Sequence, residues 1–392
     1  MSVLAMLGDA LRRNPYPLFG VLRRVRPVLH DRVHDLWLLF DHASVQRALS
    51  DHETFSSRAA PPGGGPLDWM IFTDPPRHTT LRALVMRTFT PRAIAALEPG
   101  IRMRAVDLLA PHLERGTLDL VRDFADPLPL AVITTMLGMP PTDRERLARW
   151  TGAILGLGDT VTGGDRAARA TARYRDAKSE MRPYLGALLA ERRAVARDDL
   201  LSRLVAADIE GERLSDDEIF DFFQLLLLAG SETTTNLISN AVLCFSAHPR
   251  QLALVRADLS RLPAAIEEVL RYRSPAQVVF RCTTRDVVLH GRTIPGGKLV
   301  LVMIGSANRD DRCFPRASAF DVMRDARPHV GFGYGIHYCL GAALARLEAR
   351  VALEELITRA PDLRVPSTRW VPRAGLNVHG PQALRVVLRR PA

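Results

Sequence analysis

Phe332-Gly333-Tyr334-Gly335-Ile336-His337-Tyr338-Cys339-Leu340-Gly341 is the stretch whose reading decides the fold of this 392-residue chain. Gly333, Gly335 and Gly341 can take backbone angles that other residues cannot, and they let the chain pass close to something flat. Cys339 comes just before a helical pattern at 340–356. A thiolate near a helix N-terminus is stabilised by free N–H groups and by the positive end of the helix dipole. The arrangement suits a cysteine that stays ionised and binds iron, a thiolate being one of the axial ligands that haem accepts. The residues alone leave a second reading open, in which Cys339 is a small buried hydrophobe in an ordinary loop. A dinucleotide-binding loop is excluded, because the third glycine of G-x-G-x-x-G would fall on Tyr338. A zinc site fits poorly, since only His337 lies at ligand spacing.

The same ten residues match F-G-x-G-x-H-x-C-x-G, and in them the chain resembles the cytochrome P-450 family, whose haem-binding loop carries that pattern. Further motifs extend the resemblance from about Asn14 to the C-terminus. It implies a mainly α fold with small peripheral β-sheets, the haem lying between a long central helix and the cysteine loop. It also implies that Cys339 is the axial ligand of haem b (iron protoporphyrin IX), and that Phe332, Gly333, Gly335 and Gly341 shape its seat.

Hydrophobic residues at 47% and charged residues at 24% are ordinary for a globular protein. The net charge is +10, and arginine supplies 51 of the 53 basic residues, Lys178 and Lys298 being the only lysines. That bias reads as genomic in origin. A basic protein attracts nucleic acid, anionic membrane or acidic proteins, but no block of five or more like charges provides a nucleic-acid tail. Cys244, Cys282, Cys313 and Cys339 have neither disulfide nor zinc spacing, which suits a reducing cytoplasm. No run approaches the roughly 18 apolar residues of a membrane span. The 1–11 stretch, interrupted by Asp9, lacks the parts of a signal peptide. With no repeat, low-complexity segment or linker to divide it, the chain is expected to form a single domain over 1–392.

Asn14-Pro15-Tyr16-Pro17 signals a turn into a helix at 18–26. Segments 28–30 and 36–40 read as a hairpin, and 43–50 as a helix. The breakers at 61–66 make a loop. Trp69, Ile71 and Phe72 follow it, where the resemblance places the substrate pocket. Asp74-Pro75-Pro76 starts a helix, with Asp74 as N-cap and proline in the first turn. On it His78 and Arg82 share a face and suit an anion, which the resemblance identifies as a haem propionate. Helices are expected at 101–113, 129–137 and 143–155, a loop at 156–164, and a long Arg-rich helix at 167–196 broken near Pro183.

The longest helical pattern is 214–247. Ser215 and Glu218 form a capping box, and apolar residues on most sides imply burial. In its middle, Ala229-Gly230-Ser231-Glu232-Thr233 places groups that weaken a helix and that need partners when buried. The residues alone admit a kink with satisfied hydroxyls, or a groove offering a hydroxyl and a carboxyl to a ligand. The segment is similar to the family's (A/G)-G-x-(D/E)-T motif. That likeness implies Ala229 and Gly230 against the haem, and Glu232 and Thr233 as the catalytic pair that delivers protons to oxygen.

In the helix at 263–273, Glu268 and Arg271 share a face. The family's E-x-x-R motif falls on them and implies a buried structural pair, with Arg324 of Phe320-Asp321-Val322-Met323-Arg324 as third partner. Short strands are expected at 287–290, 293–294 and 299–304. By the same resemblance Arg281, His329 and His337 join His78 and Arg82 at the propionates. Phe223, Leu226, Val278, Val279 and Asn377 join Trp69, Ile71 and Phe72 in the pocket. Arg309, Arg312, Arg346 and Arg350 are expected to form a basic face that steers an acidic ferredoxin.

The resemblance implies a monomeric, cytoplasmic haem-thiolate monooxygenase that inserts one oxygen atom of O2 into an apolar small molecule such as a terpenoid, steroid, fatty acid or polyketide. Electrons would come through a ferredoxin and its reductase, since no flavin or iron–sulfur motif lies in the chain. A haem-thiolate peroxygenase or isomerase, or a non-enzymatic haem sensor or ligand-binding protein, is the alternative. Glu232 and Thr233 count against the first, because the family's peroxide-using members generally replace that pair, and against the second, because a sensor has no use for proton-delivery residues.

Overall fold

The computed structural model describes residues 9–58, 69–87, 89–157, 164–373 and 377–389. The expected 61–66 loop, most of the 156–164 loop and Leu376 lie outside the described residues. Helices dominate, with small sheets beside them. The chain separates into two compact units. One comprises Met1–Ser57, Glu98–Asp126 and Thr233–Ala392; the other comprises Arg58–Leu97 and Pro127–Glu232.

In the first unit the hairpin forms as expected, Val28–Asp31 running antiparallel to Leu36–Leu39. Leu36–Leu39 then pairs in parallel with Leu299–Val302, which pairs antiparallel with Val279–Thr283, and Phe55–Ser56 closes the edge. Because strand side chains alternate between faces, Trp37, Leu39, Val300 and Val302 fall in one apolar core. Leu36, Leu38, Leu301 and Met303 fall in the other. Helices Glu98–Arg115 and Ala342–Arg359 pack side by side. Charged groups lace them together: Arg102 reaches Glu98, Glu354 and Glu355, and Arg350 reaches Glu98 and Glu354.

In the second unit two expectations need correction. The helix Gly164–Ala194 runs unbroken through Pro183. Met181, Leu185 and Leu189 are buried around the proline, and packing on Arg144–Leu155 offsets the roughly 3 kcal/mol that a mid-helix proline costs. The helix Arg77–Met86 takes Pro76, not Asp74, as its N-cap, with no side-chain cap. Asp74 lies too early to cap it, and contributes its carbonyl to the His78 N–H instead, at 3.1 Å.

The long helix is Asp216–Ala247, 32 residues and about 48 Å from end to end at 1.5 Å per residue. Its capping box is formed: Ser215 Oγ accepts the Glu218 N–H at 3.2 Å, and Glu218 Oε2 accepts the Ser215 N–H at 2.9 Å. Residues up to Glu232 belong to the second unit, and those from Thr233 to the first.

Candidate cofactor and active site

Two glycines and one hydrogen bond build the cysteine loop. Gly333 and Gly335 have φ of +74° and +70°, a region open to glycine. A Cβ on Gly335 would sit 2.7 Å from the Leu49 carbonyl oxygen. Gly335–His337 form a single tight helical turn. The Cys339 N–H then donates to the Phe332 carbonyl at 2.8 Å and closes the loop. The helix Ala342–Arg359 follows, with the Ala342 N–H 3.4 Å from the Cys339 carbonyl oxygen. Cys339 is half-buried and forms no disulfide. Gly341 is an exception among the glycines: its φ is −83° and nothing lies within 4 Å of an added Cβ, so its backbone freedom is not used.

Arg281, on Val279–Thr283, belongs to the same unit; it is buried and donates to the Phe280 carbonyl at 2.8 Å. His337 ends the tight turn, half-buried. The Asn377 carbonyl accepts the Gln277 N–H at 2.8 Å, which holds the turn beside the 274–280 segment. Glu268 and Arg271 form a fully buried bidentate pair at 2.7 Å, with Arg324 Nε 3.4 Å from Glu268 Oε1.

Three expectations in this unit are corrected. His329 is not offered to a propionate, because both its ring nitrogens are taken by the protein: Glu267 lies 3.0 Å from Nε2, and the Gly331 N–H donates to Nδ1 at 3.0 Å. Val278 is buried in the apolar core with Tyr16, Phe19 and Phe40, whereas Val279 packs against the opposite core. The four arginines are no free basic face. Arg309 is buried, with its guanidinium 3.3 Å from the Tyr272 ring centre and 4.3 Å from that of Tyr16. Arg312 forks onto Asp310, Arg346 onto Glu267, and Arg350 reaches Glu98.

At its midpoint the long helix opens one face. Ala229 is exposed and Gly230 and Thr233 are half-buried, although Leu227, Ser231 and Thr234 between and beside them are buried. Ala229 and Thr233 are four apart and share that face. Glu232 is buried next to it. Gly230 also has a packing reason: a Cβ there would come within 2.6 Å of Ile133 Cδ1. In the second unit His78 is buried and Arg82 half-buried, one turn apart on Arg77–Met86. Trp69 is buried and stacks on Phe72 at 6.2 Å, while Ile71 is exposed. Phe223 is a core residue, fully buried and edge-on to Trp150 at 6.5 Å, which corrects its placement in a pocket. Leu226 is buried beside it on the same helix.

The donor set fits haem. Among the described residues no group of three or more His, Cys, Asp or Glu side chains is placed to hold a bare metal ion. A single half-buried sulfur suits an iron whose remaining ligands come from a macrocycle. The small-residue face around Thr233 suits a flat group.

Comparison with known proteins agrees with this chemistry. Residues 168–360 match the family model described as cytochrome P450. The chain is 40% identical over 377 residues, 94% of each chain, to cyclomarin C epoxidase CymV of Salinispora arenicola. It is similar to the solved structure of cytochrome P450 CYP109Q5 from Chondromyces apiculatus, with a TM-score of 0.89, 37% identity and 98% of each chain covered. It is likewise similar to CYP109E1 from Bacillus megaterium in complex with testosterone, with a TM-score of 0.88, 35% identity, and 96% of this chain and all of that one covered.

Proposed function

The chain belongs to the cytochrome P450 family, and from that premise we propose that it is a haem b monooxygenase inserting one oxygen atom of O2 into a large apolar molecule of the steroid or polyketide kind. The observation that carries this reading is Cys339, held in a closed loop at the head of a helix. CymV, an epoxidase by name, and CYP109E1, crystallised with testosterone, support the bulky, apolar substrate class. The proposal includes a single 1–392 domain, acting as a cytoplasmic monomer.

Bound haem supplies the oxidative chemistry, reductive cleavage of O2 being favoured by a thiolate ligand. The chain's own residues do the rest. Cys339 Sγ would ligate the iron, with the Phe332–Cys339 hydrogen bond keeping the sulfur from swinging away. Arg281, His78, Arg82 and His337 would each offer a hydrogen bond or positive charge to a haem propionate, compensating a carboxylate as it leaves water. Thr233 Oγ1 holds a proton donor toward the oxygen site, and the Glu232 carboxyl resupplies it. Trp69 and Phe72 exclude water from the apolar substrate. Electrons come from a ferredoxin-type carrier docking beside Cys339, where Tyr334 and Tyr338 are both exposed; exposed aromatics are favoured contact anchors.

The test is a screen of spin-state spectral shifts across steroids, terpenoids, fatty acids and macrolides. Product analysis then follows with ferredoxin, reductase and NADPH. A product carrying one atom of labelled O2 supports the reading. Full turnover on peroxide without reductant would replace it by the peroxygenase alternative.

Thr233→Ala should separate chemistry from folding. It removes one hydroxyl from a helix and should change stability by about 1 kcal/mol or less. Haem content and substrate binding should survive, while product formed per NADPH falls severalfold and the oxygen is lost as hydrogen peroxide. Glu232→Gln should slow turnover without emptying the site. Wild-type coupling and rate in both variants would reduce the motif to a packing feature.

A further inference from the structure

One carboxylate beneath the cysteine loop is tied to both of the loop's ends. Glu267 lies on the helix Leu262–Tyr272. Its Oε1 accepts from Arg346 Nε at 2.7 Å and its Oε2 from Arg346 Nη2 at 2.9 Å, the fork-on-fork geometry of a strong charge-assisted pair. Oε2 also meets His329 Nε2 at 3.0 Å. The tautomer of His329 follows from its other side. Nδ1 takes the Gly331 N–H at 3.0 Å, and a nitrogen that accepts carries no proton, so Nε2 carries it and donates to Glu267.

Each partner of Glu267 leads into the loop. Gly331 precedes Phe332, whose carbonyl accepts the Cys339 N–H. Gly331 is wedged in place: an added Cβ would lie 3.0 Å from the Leu270 carbonyl oxygen and 3.1 Å from His329 Nδ1. On the other side, the Arg346 guanidinium lies 4.5 Å from the centre of the Phe332 ring. Arg346 Nη1 also donates to the Tyr338 hydroxyl at 3.3 Å, one residue before the ligand.

We infer that Glu267 is a positioning residue for Cys339, fixing the entry of the loop through His329 and its exit through Arg346. Without this acceptor, a guanidinium and an imidazole N–H would be left facing each other. Burial alone would raise the pKa of the Glu267 carboxyl, but the hydrogen bonds from Arg346 and His329 outweigh it and hold the value at about 2. The brace is therefore ionised at neutral pH. The inference rests on the haem-thiolate reading and deepens it.

The test compares four holoenzymes: wild type, Glu267→Gln, Glu267→Asp and Arg350→Gln. The last changes an arginine one turn from Arg346 on the helix Ala342–Arg359, whose ion pairs are to Glu98 and Glu354 and not to the loop. Two quantities are read: amide hydrogen exchange over 331–341, and the rate at which the reduced, carbon monoxide-bound protein loses its thiolate Soret band on mild warming. Glu267→Gln should speed exchange of the loop by roughly tenfold or more, the factor expected for losing a charge-assisted hydrogen bond to a structured segment, and should speed loss of the band. Glu267→Asp, which keeps the charge on a shorter arm, should fall between. Arg350→Gln should match wild type in both. Wild-type exchange in Glu267→Gln, or an equal effect of Arg350→Gln, overturns the inference alone. A wild-type protein without the thiolate band overturns the haem-thiolate reading and this inference with it.

Discussion

Cys339→His is expected to abolish the red-shifted Soret band of the reduced, carbon monoxide-bound protein, and monooxygenase turnover with it. No other thiol is suited to replace the ligand. Cys244 is buried in the core, and burial pushes its thiol up to about 12. Burial also raises Cys282 and Cys313 above the ordinary thiol value, so all three favour the neutral form over the thiolate that binds iron. Cys339 alone sits in a loop closed by its own N–H and followed at once by a helix. Retention of the red-shifted band in Cys339→His would mean that one of the other three is the ligand, and the proposed site would be wrong. The variant should still fold, since a half-buried loop residue changes and the core does not.

Arg271→Met should have the largest effect on stability, costing about 3–5 kcal/mol in denaturant unfolding, as is usual when one member of a buried ion pair is removed. Glu268 would keep a negative charge with no solvent access and only the longer 3.4 Å contact to Arg324 Nε beside it. More is lost than the pair. Arg271 also donates to the carbonyls of Asn308, Ala317 and Ala319 at 2.9 to 3.0 Å, and so anchors the irregular segment that leads to the cysteine loop. The double variant Glu268→Leu/Arg271→Met removes the poorly compensated charge, yet it takes the side-chain donor from the Asn308 and Ala317 carbonyls, the acceptor from the Asp321 N–H, which now donates to Glu268 at 2.9 Å, and the carboxylate from Arg324. Rescue should therefore be partial at most. Full recovery in the double variant would show that Arg271 contributes only as a counter-charge.

Much of the fold was legible because its signals are local. The cysteine loop declares itself within ten residues. The capping box at Ser215 and Glu218 and the apolar run behind it placed the long helix to within two residues of its observed start. What was not legible depends on partners distant in the chain. The ring of His329 is claimed by a glutamate 62 residues earlier, and the Arg309 guanidinium by Tyr272, 37 residues earlier. A motif reports residue type; it does not report which neighbour has already satisfied it. Glu267 carried no signal of its own beside Glu268, for the same reason. One miss was avoidable. Val278 stands directly before the strand Val279–Thr283, and consecutive residues in extended chain face opposite ways, so Val278 and Val279 should not have been expected to line one pocket together. Pro183 misled because propensity is a weak prior against burial on both sides of the proline.

The five-stranded sheet has a consequence for how the chain is made. Leu36–Leu39 finds its parallel partner, Leu299–Val302, roughly 260 residues later, and Phe55–Ser56 likewise waits for Val279–Thr283. At the ribosome's pace of about 5–20 residues per second, the hairpin emerges on the order of 10–50 s before the strand that will cover its edge. During that interval Leu36-Trp37-Leu38-Leu39, buried on both faces in the finished sheet, is an open template for any other strand. Nascent chains of this protein thus carry an aggregation hazard at their N-terminal end that no local interaction removes, and low translation temperature or a holdase chaperone acts on that interval.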